Sequence, residues 1–310
     1  MFPDGPPPQI SSDEILKAIE RSGYPLEQRV RKVLDRRGYF VETNIAFPDP
    51  QTGISRELDI SAIRLVKLSQ RRRDFIFPFL LCECEHNTLP VVFFDARPQV
   101  PALYHKEAKL SGIPVKIWTG REFVRISEFL KFETFHHYCR PPIATQYCSF
   151  SRKNTNATWI ASHADQHHNT FDNLVNALEA EISDHYGIWK MPARNVEEAV
   201  NIQLYYPLVI LQGDNYLARQ RNRELTLHKT PHIQYRRDKW SQQLRDTYHI
   251  DVVQERFLPK YLNLLDKEVE TFKRRFIRHR TAARKSIDRL IRQARATRKR
   301  QGPWRELLEP

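Results

Sequence analysis

The period of the apolar positions changes several times along the chain. In PLEQRVRKVLDRRG, Leu26, Val30, Val33 and Leu34 share one face of a predicted helix that Gly38 closes, and Ser11 or Ser12 can cap a shorter helix before it. Three runs rich in β-branched and aromatic residues follow: YFVETNIAF, ISRELDISAIRLV and FIFPFLLCECE. The turn-forming PDPQTG and the basic SQRRRD separate them, which predicts three successive strands. From Cys139 to Trp159 the composition is polar and irregular, with Pro141-Pro142 and SFSRKNTNAT, and reads as a loop or lid. Helical spacing returns at Phe171, Leu174, Val175, Leu178 and Ile182, predicting a helix over 171–186. IQLYYPLVILQGDNYLAR predicts a strand, a turn at Gln212-Gly213-Asp214-Asn215 and a second strand, and PHIQYRR and HIDVVQERFL predict two more. The last pattern is Leu258, Leu262, Leu265, Val269, Phe272 and Phe276, resuming at Ala283, Ile287, Leu290 and Ala294. Its steps of three and four predict one helix from Pro259 to Ala296, on the order of 55 Å long, with a single apolar seam.

Strands interspersed with helices imply an α/β protein with a mixed sheet. No Gly/Ser or charged linker interrupts residues 11–258, so these are expected to form one domain, with core motifs over 20–120 and later strands and a helix over 160–258. Residues 259–300 form the long helix. At 310 residues, with 40% hydrophobic and 28% charged positions, the chain can bury a core without metal or disulfide staples. The longest apolar run, Phe75 to Cys82, falls well short of the roughly 20 residues of a membrane-spanning helix. MFPDGPPPQI has neither the charged nor the apolar region of a signal peptide, so an intracellular, cytoplasmic protein with no membrane association is expected. The four cysteines read as reduced thiols. Cys139, Cys148, His163 and His167, at intervals of nine, fifteen and four, match no common zinc pattern. A Gly-rich phosphate loop, a GxSxG elbow and an HExxH pair are all missing from the sequence.

The formal charge of +13 is concentrated: residues 271–300 hold thirteen Lys/Arg against the single acid Asp288. Arg274, Arg275, Arg278, Arg284, Lys285, Arg289 and Arg292 therefore form a basic surface suited to phosphates, and nucleic acid, DNA foremost, is the expected partner. A solvated helix face is the plainer alternative. The apolar seam equally suits a coiled-coil contact with a second copy or a partner protein.

Chemistry is concentrated nearer the start. Asp59 lies between apolar Leu58 and Ile60, and strand alternation turns its side chain to the opposite face from theirs. Glu83 and Glu85 share a face of a very apolar strand, roughly 7 Å apart along it, with Cys82 and Cys84 turned away. Acids on a buried strand are costly unless a cation or hydrogen-bond donors meet them, so Asp59, Glu83 and Glu85 form a candidate site for a hard divalent cation, Mg²⁺ or Mn²⁺.

Leu58-Asp59 followed by Glu83-Cys84-Glu85, with Glu27 on the helix before the first strand, resembles the PD-(D/E)XK nuclease superfamily, the restriction-endonuclease-like proteins. The resemblance covers about residues 20 to 95 and extends toward HKEAKLSGIPVKIWTG. It implies a restriction-endonuclease-like mixed sheet flanked by helices, and metal-assisted phosphodiester hydrolysis. In that reading Asp59, Glu83 and the carbonyl of Cys84 hold the metal, Glu85 orients or deprotonates the water, and Glu27 reaches the metal through water or helps hold a second one. The departure is Glu85, which stands where the pattern has lysine and cannot neutralise phosphate; Lys106 or Lys109 are the cations available to replace it. The competing expectations are a catalytically inactive nuclease-fold module that binds nucleic acid through the basic helix, and an assembly protein whose helix pairs with a partner.

Overall fold

The computed structural model describes residues 10–68, 74–96, 100–113, 116–152, 158–162, 165–188, 200–241 and 245–298. Two short helices, α1 (Ser12–Glu20) and α2 (Tyr24–Arg36), precede strands β1 (Phe40–Pro48), β2 (Ser55–Ile63), β3 (Phe75–Glu85) and β4 (Val91–Ala96). After an irregular stretch come β5 (Ile143–Ser151) and helix α3 (Asp165–Ile188). Strands β6 (Asn201–Leu211), β7 (Asn215–Arg221), β8 (Glu224–Lys229), β9 (His232–Trp240) and β10 (Arg245–Gln254) lead into helix α4 (Leu258–Arg298). With shorter segments, these strands make one 13-stranded mixed sheet in the order β1-β2-β3-β6-β10-β9-β5-β4-β7-β8.

The centre of the sheet is parallel. β6 pairs in parallel with β3 over its whole length and with β10 at its far end, so Glu85, Leu211 and Gln254 lie level. Every position of β6 after Asn201 is buried. That is the property of a parallel strand covered on both faces, and it explains the near-continuous apolar run ILYYPLVIL broken only by Gln203.

Each face has its own core. On one, α2 contributes Leu26, Val30 and Leu34, and α4 contributes Leu258, Tyr261, Leu262, Leu265, Val269, Phe272 and Phe276, packed over Ile60, Leu80, Cys82, Leu208 and Ile210. On the other, Phe171, Leu174, Val175, Leu178 and Ile182 of α3 cover Phe79, Leu81, Tyr205, Val209, Ile250 and Val252. The local signals behave as expected at the ends of the first helices. Ser11 caps α1 in a reciprocal capping box with Glu14, and Gly38 follows α2 at φ +76, where L-residues are strained.

The apolar seam of the long helix is thus satisfied by the sheet as far as Phe276, so a coiled-coil partner is not needed to cover that part. The loop or lid expected over 139–159 is corrected, because Ile143–Ser151 forms β5, inserted between β9 and β4. Its polar residues hide the strand from the pattern because only part of it is covered: Ile143, Ala144, Tyr147 and Ser149 are buried, while Thr145, Gln146 and Ser151 are exposed. β6 and β7 do flank the turn at 212–215 but separate beyond it, β7 pairing with β4 and β8. Lys109 is remote from the expected site: its ammonium pairs with Asp246 at the start of β10 and lies over the Tyr248 ring. Lys106 falls in the 3₁₀ turn Pro101–Glu107, not on a regular helix. Among the earlier zinc candidates, His163 and the side chain of His167 lie outside the described residues.

The seam predicts where stability resides. Leu265→Ala and Phe272→Ala are each expected to cost about 3 kcal/mol in urea-unfolding experiments, whereas Ile277→Ala, on the exposed side of the same helix, should cost less than about 0.5 kcal/mol.

Candidate active site

The antiparallel ladder between β2 and β3 runs from Ile63 opposite Phe79 to Ile60 opposite Cys82 and stops there. Beyond it the strands separate. Asp59, the next residue, replaces the missing ladder acceptor: its Oδ2 takes the backbone N–H of Cys84 at 2.7 Å. On the neighbouring strand β1, Asn44 adopts the left-handed conformation at φ 54 beside this point, and the side chains change face across it: Ile60 packs with α2 and α4, Leu58 with α3. Asp59 therefore sits where the strand turns over, not in a regular alternation.

The carboxyl groups of Asp59 and Glu83 lie close enough to act on each other electrostatically. Both have raised pKa values. For Glu83, burial is the larger cause and the Asp59 charge the next, together pushing it up to about 9. Burial also raises Asp59, against the opposing bond from Cys84 N–H. The arginines that could have neutralised Asp59 are engaged elsewhere: Arg56 binds Asp49 at 2.7 Å and Arg64 binds Asp266.

The remaining candidates surround this pair unevenly. Glu27 is buried on α2, and burial followed by the Asp59 charge raises its pKa. A Cβ placed on Gly23, at the start of α2, would lie 3.5 Å from Glu27 Oε1 and 4.0 Å from the Cys84 carbonyl oxygen, so these two oxygens face one small space. Glu85 is buried and accepts from the Thr170 hydroxyl of α3. No three of Asp59, Glu83, Glu85 and Glu27 bring carboxylate oxygens all within 4.8 Å of one another. The close unit is the Asp59–Glu83 pair, with Cys84 O and Glu27 beside it.

Two positioning residues escaped the sequence reading. Asn173 Nδ2 donates to Glu83 Oε1 at 2.6 Å and to the Glu57 carbonyl at 2.7 Å, tying the acid to α3 and β2 together. Thr170, one turn earlier, holds Glu85. Asn173 lies in a helix read only for its apolar stripe, and Thr170 just before the predicted start at 171, where the observed helix, beginning at Asp165, already includes it; their spacing of three on the polar flank of that stripe was the available signal.

The arginine-rich segment is placed elsewhere. α4 begins at the level of Glu85 and runs back along the sheet, so that Arg280 pairs with Asp74 at the opposite end of β3. From Asp74 to Glu83 the strand covers about 30 Å at roughly 3.3 Å per residue. Arg275 donates to the carbonyls of Leu130 and Lys131 at 2.8 and 2.7 Å and stacks over Phe135. Arg274 bonds Thr271, while Arg278 and Lys285 are exposed. The side chains of Arg284, Arg289 and Arg292 lie outside the described residues. The cations level with the acids are different ones, Arg29 paired with Glu255 and both Arg256 and Lys229 with Asp214, and beside them His86 lies 2.6 Å from Gln212 Oε1. Gly213 belongs to this rim, since a Cβ there would come within 2.7 Å of the Asn87 carbonyl oxygen.

A carboxyl whose pKa is higher in the folded chain than in the unfolded one stabilises the fold while protonated. For Glu83 that contribution is complete below about pH 4.5 and is lost as pH rises through about 9. In EDTA, the melting temperature of the wild type should therefore fall more steeply between pH 5 and pH 9 than that of Glu83→Gln, whose side chain stays neutral. Parallel slopes would show that the pair holds no such proton.

No protein-family model, curated protein or solved structure matches this chain.

Proposed function

We propose that this chain is a metal-dependent nuclease of the PD-(D/E)XK type, hydrolysing phosphodiester bonds of nucleic acid, with DNA the first substrate to test. The observation that supports this reading most is the Asp59–Glu83 pair: two half-buried carboxyls at the carboxyl end of a central strand that pair with no arginine among the described residues, one fixed by the Cys84 N–H and the other by Asn173. A hard divalent cation fits the donor set, because it would offset the mutual repulsion of two partly buried carboxylates, with the Cys84 carbonyl and Glu27 as further oxygens. Asp59, Glu83 and Cys84 O would hold Mg²⁺ or Mn²⁺, which when bound polarises phosphate and acidifies water.

The chain's own groups have separable tasks. Cys84 N–H fixes the Asp59 carboxylate, and Asn173 fixes Glu83, so neither acid has to reorganise when substrate arrives. Glu85, anchored by Thr170, is the group available to take a proton from water. It leaves the phosphate charge to be met from outside the motif, and Arg29, Lys229, Arg256 and His86 along the strand ends are placed on the same rim. Ligands of open α/β sheets bind at such carboxyl ends.

The distance to the basic helix favours a second reading for that element alone. At about 3.4 Å per base pair along one strand, 30 Å corresponds to roughly nine base pairs, so Arg274, Arg278 and Lys285 would contact a polynucleotide away from the acids or bind it without cleavage. The helix then contributes affinity, and the acids, if active, contribute chemistry.

The two are separable by experiment. Purified protein incubated with plasmid, single-stranded DNA and RNA in Mg²⁺ or Mn²⁺ should cut at least one of them, and Asp59→Ala and Glu83→Ala should each lose at least about 10²-fold in rate. The combined variant Arg274→Ala, Arg278→Ala, Lys285→Ala should bind more weakly and reduce the salt slope of log K by about 3, with the single-turnover cleavage rate at saturating substrate unchanged. Cleavage that persists undiminished in Asp59→Ala would remove the nuclease proposal; binding without cleavage by the wild type would leave the inactive module.

A further inference from the structure

On the α2–α4 face, the apolar core encloses a second polar cluster. Asp251 on β10 lies opposite Gln234 on β9, and His232 is two residues before Gln234, so all three side chains share that face. The turn His137–Cys139 brings His137 beneath them, and α4 adds Tyr261 and Glu268. Asp251 is 0% exposed and Glu268 3%. Their partners are imidazoles and a phenol: His137 Nε2 lies 2.9 Å from Asp251 Oδ2, His232 Nε2 lies 2.7 Å from Asp251 Oδ1, and Tyr261 donates to Asp251 Oδ2 at 2.7 Å. Glu268 takes His137 Nδ1 at 2.9 Å and the His137 backbone N–H. Among the described residues, no lysine or arginine pairs with either carboxylate.

We infer that His137, His232 and Asp251 form a binding site for a divalent transition-metal ion, zinc being the best match. Three observations carry it. One nitrogen from each imidazole and one Asp251 oxygen all lie within 4.8 Å of one another, supplied by a turn and two adjacent strands. An N₂O set of this kind with an open fourth position suits zinc, and around a tetrahedral ion with bonds of about 2.0–2.1 Å the ligand atoms stand roughly 3.3 Å apart, so the two Asp251–imidazole contacts of 2.9 and 2.7 Å would each lengthen by a few tenths of an ångström. Second, the outer contacts are those of a metal site. Glu268 holds the far nitrogen of His137, which fixes its ring, and Tyr261 holds the second Asp251 oxygen. Third, a buried polar atom beside the cluster is left over: Gln234 Oε1 has no hydrogen-bond partner, although Gln234 is directly across from Asp251. Two buried carboxylates are balanced in charge by one divalent ion. His232, with a side chain 17% exposed, is the way in.

This site is separate from the oxygen-only acids at the end of β3, and its expected role is to clamp the 137–139 turn and the start of α4 to strands β9 and β10. The test is metal analysis of the full-length protein expressed with zinc, followed by chelation and readdition of Zn²⁺ and Co²⁺. About one equivalent of zinc is expected, with Co²⁺ giving the intense visible bands of a four- or five-coordinate ion. His232→Ala should lose at least about tenfold in zinc affinity and lack those bands, and Asp59→Ala should keep both. Asp251→Asn is the more severe ligand change, and His232→Ala is read instead if it fails to fold. Zinc below about 0.1 equivalent after readdition, or zinc held as tightly by His232→Ala as by the wild type, would overturn the assignment.

Discussion

The structure is governed by the covering of its central parallel strands on both faces. A strand in that position has no solvent side, so the backbone is satisfied only by its neighbours and every ionisable side chain along it must be met by a partner or emerge at an end. β3, β6 and β10 obey this rule in different ways. β6 carries no charge at all; β3 keeps its acids to its last three residues; and β10 places Asp251 in the middle, where it is surrounded by two imidazoles and a phenol.

The same constraint accounts for the chemistry at the end of β3. Glu83 is deep enough for burial to favour its neutral form, and the separation of β2 from β3 brings Asp59 to it rather than to an arginine. Burial and the Asp59 charge both favour a neutral Glu83, which is the cost that any cation meeting the two acids would offset. Helix α3 then does more than cover the sheet. Its apolar stripe sets the distance at which Asn173 and Thr170 reach the two glutamates, so packing on that face and the orientation of the acids are coupled.

The described arginines of α4 and the acids of β3 lie toward opposite ends of that strand. α4 starts beside the acids and carries its arginines away from them, and two of those arginines, Arg275 and Arg280, are held by the protein's own carbonyls and by Asp74. A long helix packed against a sheet must run roughly the length of the strands, and a basic tail on it is thereby displaced from whatever lies at its start. The cations that share a rim with the acids are scattered singly through the sequence at positions 29, 229 and 256, where no run of charge marks them.

Periodicity alone located α2, α3, α4 and the strands that contain Asp59, Glu83 and Asp251, because a side chain's face is set by local geometry that repeats every 3.6 or two residues. The spacing of Glu83 and Glu85, and the turn of Cys82 away from them, were legible for the same reason. β5 was not, since a strand with one face buried by distant partners can carry a polar, proline-flanked sequence. Nor was the contact of Asp59 with Glu83, the bridging by Asn173, the remoteness of the arginines, or the meeting of His137, His232, Asp251 and Glu268 across 132 positions of chain. Those depend on which strands become neighbours and where a ladder ends, and that is decided by the burial of whole faces against one another, a property no local window of sequence contains.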